Sequence, residues 1–235
     1  MSMNAPAIRG VLFDLDNTLV HRDRSIARYA QRLADDYGLR MAPTLSDTIA
    51  TLIVERDGGG YGVPGSTFPT VRDDVTSALL TRLPWHDAPP ADELVAHWFA
   101  HFPGSSVEMP GATALLEALA VAGIATAIVS NGLDASRQKL ASAMGFDRLV
   151  RFVLSSEAAG VKKPRARIFQ QATASLGVEP RECLFVGDHP VNDAAGAHAA
   201  GLRAVWLRGF HEWPVDAAPL PAIDGLQHVH DHLAR

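Results

Sequence analysis

This sequence of 235 residues is short of several things, and each shortage narrows what the chain can be. A single cysteine, Cys183, excludes a disulfide within the chain and fits a reducing compartment. Basic charge is not in excess. Twenty-one lysines and arginines against 26 aspartates and glutamates give a net charge of −5, without the electrostatic footprint of a nucleic-acid binder. Long apolar runs are also missing. The longest near-apolar stretch, Leu115 to Val129, is interrupted by Glu117 and is too short for a bilayer span. Met1 to Arg9 hold no apolar segment of the secretory type, so a cytoplasmic protein is expected, bound to neither membrane nor nucleic acid. Lysine is scarce: Lys139, Lys162 and Lys163 are the only three, and the other 18 basic residues are arginine. In a chain that uses arginine by habit, two adjacent lysines suggest a need for a compact ammonium.

What is present is an ordinary globular composition, 47% hydrophobic and 20% charged, with a pattern that changes along the chain. Val11-Leu12-Phe13 is a short apolar run of strand type that ends on Asp14-Leu15-Asp16-Asn17-Thr18. Beyond Pro110 strands and helices alternate. Helical spacing over Ala112 to Ala122 precedes a β-type run from Ile124 to Val129, and Asp134 to Met144 is helical before a strand at Phe152 to Leu154. Ala166 to Leu176 is helical, Cys183 to Val186 a strand, Asp193 to Ala200 a short helix closed by Gly201, and Ala204 to Leu207 a last strand. Such alternation predicts an α/β fold, a Rossmann-like, doubly wound parallel sheet.

Residues 21–107 break the alternation. Ile26, Tyr29, Leu33 and Tyr37 form a helical stripe, Ser46 opens a second helix, Thr70-x-x-Asp73 has capping-box spacing before a third, and Ala91 to Phe102 make a fourth. This is far too much chain for a simple crossover. The expected organisation is a core of residues 1–20 and 108–235, with residues 21–107 inserted as a helical cap over the carboxyl edge of the sheet.

Two carboxylates on alternate residues of a strand end repel each other. Unit charges about 4 Å apart near a protein surface cost roughly 4 kcal/mol at an effective dielectric of about 20. Asp14 and Asp16 therefore need a cation, a shared proton or a bend in the chain. Three more strand-end signals supply partners: Ser130-Asn131-Gly132, Lys163-Pro164 and Gly187-Asp188-x4-Asp193. A parallel sheet gathers them on one edge. Carboxylates, a hydroxyl beside backbone N–H groups and an ammonium together suit a phosphate ester with Mg²⁺, which prefers oxygen ligands.

These four motifs, in this order, resemble the haloacid dehalogenase superfamily, in the subgroup with a helical cap between the first and second motifs. The resemblance implies that Asp14 is the nucleophile that forms an aspartyl-phosphate, and that Asp16 is the acid for the leaving oxygen and then the base for water. It also implies that Mg²⁺ lies between Asp14, the backbone carbonyl of Asp16 and Asp188. Asp193 then supports the metal or orients the lysine. Ser130, Asn131 through its backbone N–H, and Lys163 would hold phosphate oxygens, with Thr18 either joining them or satisfying its own turn. Lys162 is the substitute should Lys163 face outward. The dehalogenating branch lacks the acid two residues after its nucleophile, so Asp16 favours phosphate-ester hydrolysis over carbon–halogen cleavage. A phosphomutase, a 2-haloacid dehalogenase and a non-enzymatic phospho-acceptor or binding module remain the alternatives. His21-Arg22 stand where many members of the subgroup carry an acidic residue, which raises an acidic substrate as an idea.

Other residues are expected to be structural. His189 is a loop side chain, Trp98 and Trp206 pack, and Cys183 is a small core residue. His228 and His232 have i,i+4 spacing on the last helix but no third ligand in view. The partner is a small phosphorylated molecule, and the chain is expected to be a monomer or a homodimer.

Overall fold

The computed structural model describes residues 6–233. The first five and last two residues lie outside that description, and with them part of the Met1 to Arg9 segment read above. Contacts divide the chain into two compact units, Met1–Val20 with Glu108–Arg235, and His21–Val107.

The chain enters the first unit through β1 (Gly10–Phe13) and then leaves for the second. There α1 (Arg22–Tyr37) buries Ile26, Tyr29, Ala30, Leu33 and Tyr37 along one stripe, as its spacing requires. Helices α2 (Ser46–Asp57), α3 (Val71–Arg82) and α4 (Ala91–His101) complete this unit. The Thr70 hydroxyl accepts the Asp73 N–H at 3.2 Å and so satisfies one of the unpaired donors at the start of α3. Ile49, Leu52, Ile53, Val75, Leu79, Leu94 and Phe102 join the α1 stripe in one core. One member of the basic pair His21-Arg22 is already engaged within this unit. Arg22 is buried and donates to both carboxylate oxygens of Asp57, each at 2.6 Å. Asp57 meanwhile also accepts the Gly60 N–H at 2.8 Å. This guanidinium pins the α2 end.

In the first unit α5 (Ala112–Val121) leads to β2 (Ala125–Ser130), followed by α6 (Asp134–Ala143), β3 (Val153–Ser155) and the single turn α7 (Ser156–Ala159). Next come α8 (Ala166–Leu176), β4 (Cys183–Gly187), a π-helical turn (Pro190–Ala195), α9 (Gly196–Ala199), β5 (Arg203–Leu207) and β6 (Ala222–Ile223). The sheet runs in the order β3-β2-β1-β4-β5-β6, with every pairing parallel. Both faces of its centre are covered. Val11, Phe13, Ile128, Leu184 and Val186 pack with Leu115, Leu116 and Leu119 of α5 and Leu140 of α6. Leu12, Val129 and Phe185 pack on the other side with Ile168, Phe169 and Ala172 of α8. Burial on both faces is why these strands read as unbroken apolar runs.

Three local details depart from the sequence reading. The stretch from Asp193 to Ala200 is no single helix, because the π-helical turn starts at Pro190 and runs into α9. The one-turn α7 and the two-residue β6 were not foreseen, since neither is long enough to show a period. Leu226–His232 forms a 3₁₀ helix, in which residues three apart align, so His228 and His232 lose the shared face that their spacing gives them on an α-helix. Among the described residues, no helix is long and apolar enough to cross a membrane.

Candidate active site

The strand order reverses between β1 and β4, since the chain builds β2 and β3 on one side of β1 and then returns to the other. In open parallel sheets this switch point, at the carboxyl ends of the strands, leaves a crevice that adjacent loops line. Register sets the residues there. Phe13 pairs with Ile128 and Val186, and the Asp14 N–H is bonded to the Val186 carbonyl at 2.9 Å. Asp14 therefore stands at the strand end beside Gly187, with Asp188 one residue further on.

Asp14, Asp188 and Asp193 are all buried, and each offers a carboxylate oxygen within 4.8 Å of the others. Lys163, 1% exposed, reaches into this cluster, and its Nζ lies 2.5 Å from Asp14 Oδ1 and 2.6 Å from Asp193 Oδ1. The ammonium also sits 5.4 Å from the centroid of the Phe185 ring. Lys162 is exposed, so position 163 is the one that enters the site. Asp193 is held from a second side, because its Oδ2 accepts the His189 N–H at 3.0 Å across the π-helical turn. Gly187 makes that possible: a Cβ there would stand 2.5 Å from Asp193 Oδ2.

Three buried carboxylates face one ammonium, and the protonation equilibria follow. Burial pushes Asp14 up to about 6, and the pull of Lys163 does not cancel this because Asp193 and Asp16 repel it. Burial also raises Asp188 well above its ordinary value, with Asp193 and Asp14 adding to it. For Lys163 burial acts downward, yet Asp14 and Asp193 overcome it and push the ammonium up to about 12. Both carboxylate oxygens of Asp188 are buried without a hydrogen bond of good geometry from any described residue, His211 Nε2 standing 3.3 Å from Oδ2. Orphaned oxygens on a buried acid next to two more carboxylates form a donor set that fits a hard divalent cation such as Mg²⁺.

Asp16 is placed differently. Its carboxylate turns to Arg137 on α6, and both side chains are 15% exposed. Gly132 leaves room for that guanidinium, because its φ of 141° suits glycine and a Cβ there would stand 2.6 Å from Arg137 Nε. Ser130 ends β2 and is buried. The Asn131 side chain is committed to the lysine loop: its Oδ1 accepts the Lys163 N–H at 2.9 Å and its Nδ2 donates to the Lys163 carbonyl at 3.2 Å. Thr18 is buried, with no hydrogen-bond partner for its hydroxyl among the described residues.

Sequence reasoning missed Arg137 and His211. Arg137 lies early in the helix that follows the Ser130 turn, and that position was the available signal. His211 lies in the loop after β5, with its Nε2 3.3 Å from Asp188 Oδ2 and its ring 4.7 Å from that of His189. His189 accepts the N–H groups of Val191 and Asn192 on Nδ1, which caps the π-helical turn. Trp206 does more than pack, since its Nε1 donates to the Asp188 carbonyl at 2.7 Å and fixes that backbone.

The profile of haloacid dehalogenase-like hydrolases matches residues 8–201 of the chain. A phosphoserine phosphatase of Thermus thermophilus is 38% identical over 122 residues, which cover 51% of this chain and 49% of that enzyme. A phosphoglycolate phosphatase of Rhodospirillum rubrum is 32% identical over 216 residues, 88% of this chain and 83% of that one. Among solved structures, a magnesium-bound HAD-hydrolase from Bacillus subtilis superposes with a TM-score of 0.77 at 20% identity, covering 97% of this chain and 99% of that one. At that identity the likeness is one of fold.

Proposed function

The chain belongs to the haloacid dehalogenase-like hydrolase family, and from that membership and the geometry of its site we propose a Mg²⁺-dependent phosphatase of a small phosphorylated metabolite. The observation that carries the reading is the placement of two carboxylates two residues apart. Asp14 lies in a cluster of buried carboxylates suited to a cation, and Asp16 turns instead to Arg137. A nucleophile and a separate proton-transfer group are what a two-step phosphoryl transfer needs.

In this reading an Asp14 oxygen attacks phosphorus while Asp16 gives its proton to the departing oxygen of the ester. Asp16, now ionised, takes a proton from the water that attacks the phosphorus of the aspartyl-phosphate, and free Asp14 and inorganic phosphate result. Lys163 holds Asp14 at its attacking position and offers its remaining donor to a phosphoryl oxygen. Ser130 and the Asn131 backbone N–H take other phosphoryl oxygens, and the Asn131 side chain keeps Lys163 in place. Thr18 belongs to the same turn and completes the phosphate-holding set. Mg²⁺, held by Asp14, Asp188 and the Asp16 carbonyl with Asp193 in support, would neutralise charge on the transferring group. We assign this chemistry to residues 1–20 with 108–235 and substrate choice to residues 21–107. The buried thiol of Cys183 suits a reducing, cytoplasmic setting.

The relatives put phosphorylated small acids first in a substrate panel. Phosphate release from 2-phosphoglycolate, phosphoserine, sugar phosphates and nucleotides should require Mg²⁺ and stop with a chelator. Halide release from 2-haloacids without metal, and no phosphate from any ester, would refute the assignment.

A further inference from the structure

Within the unit His21–Val107, α1 and α4 bring together an arrangement that phosphate chemistry does not use. His97 and His101 lie one helical turn apart on α4, and Asp36 on α1 faces them. Each offers a ligand atom within 4.8 Å of the other two. The His97–Asp36 edge is close to ligand spacing already, with Nε2 2.9 Å from Oδ2. Two ligands each about 2.1 Å from one ion stand roughly 3 Å apart at octahedral angles and roughly 3.4 Å apart at tetrahedral ones. An ion could thus replace the proton on that edge with little movement of either side chain. The two imidazole rings are 4.5 Å apart between centroids, as expected for neighbours on one helix face.

His97 is also aimed from behind. The Tyr29 hydroxyl lies 2.9 Å from its Nδ1, the Tyr37 ring meets it edge-on at 5.2 Å, and the His97 side chain is 9% exposed. The Tyr29 oxygen is placed to accept the Nδ1 proton once Nε2 is a ligand. Fixing the far nitrogen in this way is how structural partners orient metal-binding histidines. Arg32 is the competitor, since its Nε donates to Asp36 Oδ2 at 2.5 Å. Its side chain is half exposed, so it can turn to water when a cation takes that oxygen.

We propose that Asp36, His97 and His101 form a second metal site, which takes a divalent transition ion of the Zn²⁺ or Ni²⁺ class and staples α1 to α4. Two imidazoles and one carboxylate select such ions over Mg²⁺, whose preference is for oxygen. The site is independent of the phosphatase reading and stands or falls apart from it.

The test is calorimetric titration of the full chain with Ni²⁺ in excess Mg²⁺, read as the difference between the parent and His101→Ala so that any uptake at the Asp14 cluster cancels. One Ni²⁺ should bind per chain and raise the thermal midpoint. His101→Ala, at a partly exposed position, should fold and lose both effects, and Tyr29→Phe should bind about 10-fold more weakly. Uptake by His101→Ala equal to that of the parent, or no uptake by the parent under excess Mg²⁺, would overturn the proposal.

Discussion

Asp14 is asked to be buried, paired with Lys163 and surrounded by further carboxylates at once, and its ionisation is where these demands can be measured. Its pKa is pushed up to about 6 from an ordinary 3.8, chiefly by burial. The stability this contributes is present below 3.8 and is lost as pH rises through about 6 in the metal-free protein. Metal-free Asp14→Asn should therefore gain stability relative to the parent across that window, read as the difference in thermal midpoint against pH. Parallel curves would refute the electrostatic account. The same variant should lose turnover by about 10³-fold or more with its fold intact, since it removes the proposed nucleophile. Lys163, pushed up to about 12 by Asp14 and Asp193 against its burial, stays charged throughout that window and only loses its contribution as pH climbs past its own value. On the proposed mechanism Arg137 acts through Asp16, its ion-pair partner. Arg137→Gln should lower kcat about 10-fold with little change in KM, and Arg137→Lys should restore part of it. An equal rise in KM would instead place Arg137 on the substrate.

At the scale of elements, what matters is how the segments after β1, β2 and β4 are turned toward one another. The π-helical turn after β4 brings Asp193 back over the strand end, close enough for its carboxylate to accept the His189 N–H. Such irregular turns recur at functional sites because they re-aim a side chain that a regular helix would carry past. Gly187 leaves the space. Gly187→Ala should displace Asp193 and weaken Mg²⁺ binding about 10-fold by calorimetry while far-UV circular dichroism is unchanged. The regular elements were legible in the sequence because each has a period. The stripe of α1 and the Leu115, Leu116 and Leu119 face of α5 are examples. The π-helical turn, the 3₁₀ helix at Leu226–His232 and β6 were not, because β6 is too short to show a period and the two irregular helices depart from the α-helical one.

Across the whole molecule, the site is a concentration of negative charge that folding alone does not neutralise. Cation binding should therefore appear as stability. At about 100 times its Kd, a ligand bound only by the folded state contributes about 2.7 kcal/mol. Mg²⁺ at that level should raise the thermal midpoint of the parent. The increase should shrink as pH falls through about 6, because protons compete for the same oxygens. Asp188→Asn should abolish it. A midpoint indifferent to Mg²⁺ in the parent would contradict the cation assignment at Asp14, Asp188 and Asp193.

By itself the sequence determined the parallel α/β architecture, the helical character of residues 21–107 and the order of the acidic, hydroxyl and lysine signals at strand ends. These follow from local periodicity and from where polar residues interrupt apolar runs, which neighbours in the chain decide. Tertiary structure alone decided how Lys163 is shared between Asp14 and Asp193, and that Arg22 pairs with Asp57. It also decided that Asp16, two residues from Asp14, turns to Arg137, 121 positions away in the chain. The reason is physical: pairing of buried charges depends on which side chains converge in space, and spacing along the chain carries no record of that. The fold gives Asp14 and Asp16 different partners, Lys163 for the first and Arg137 for the second.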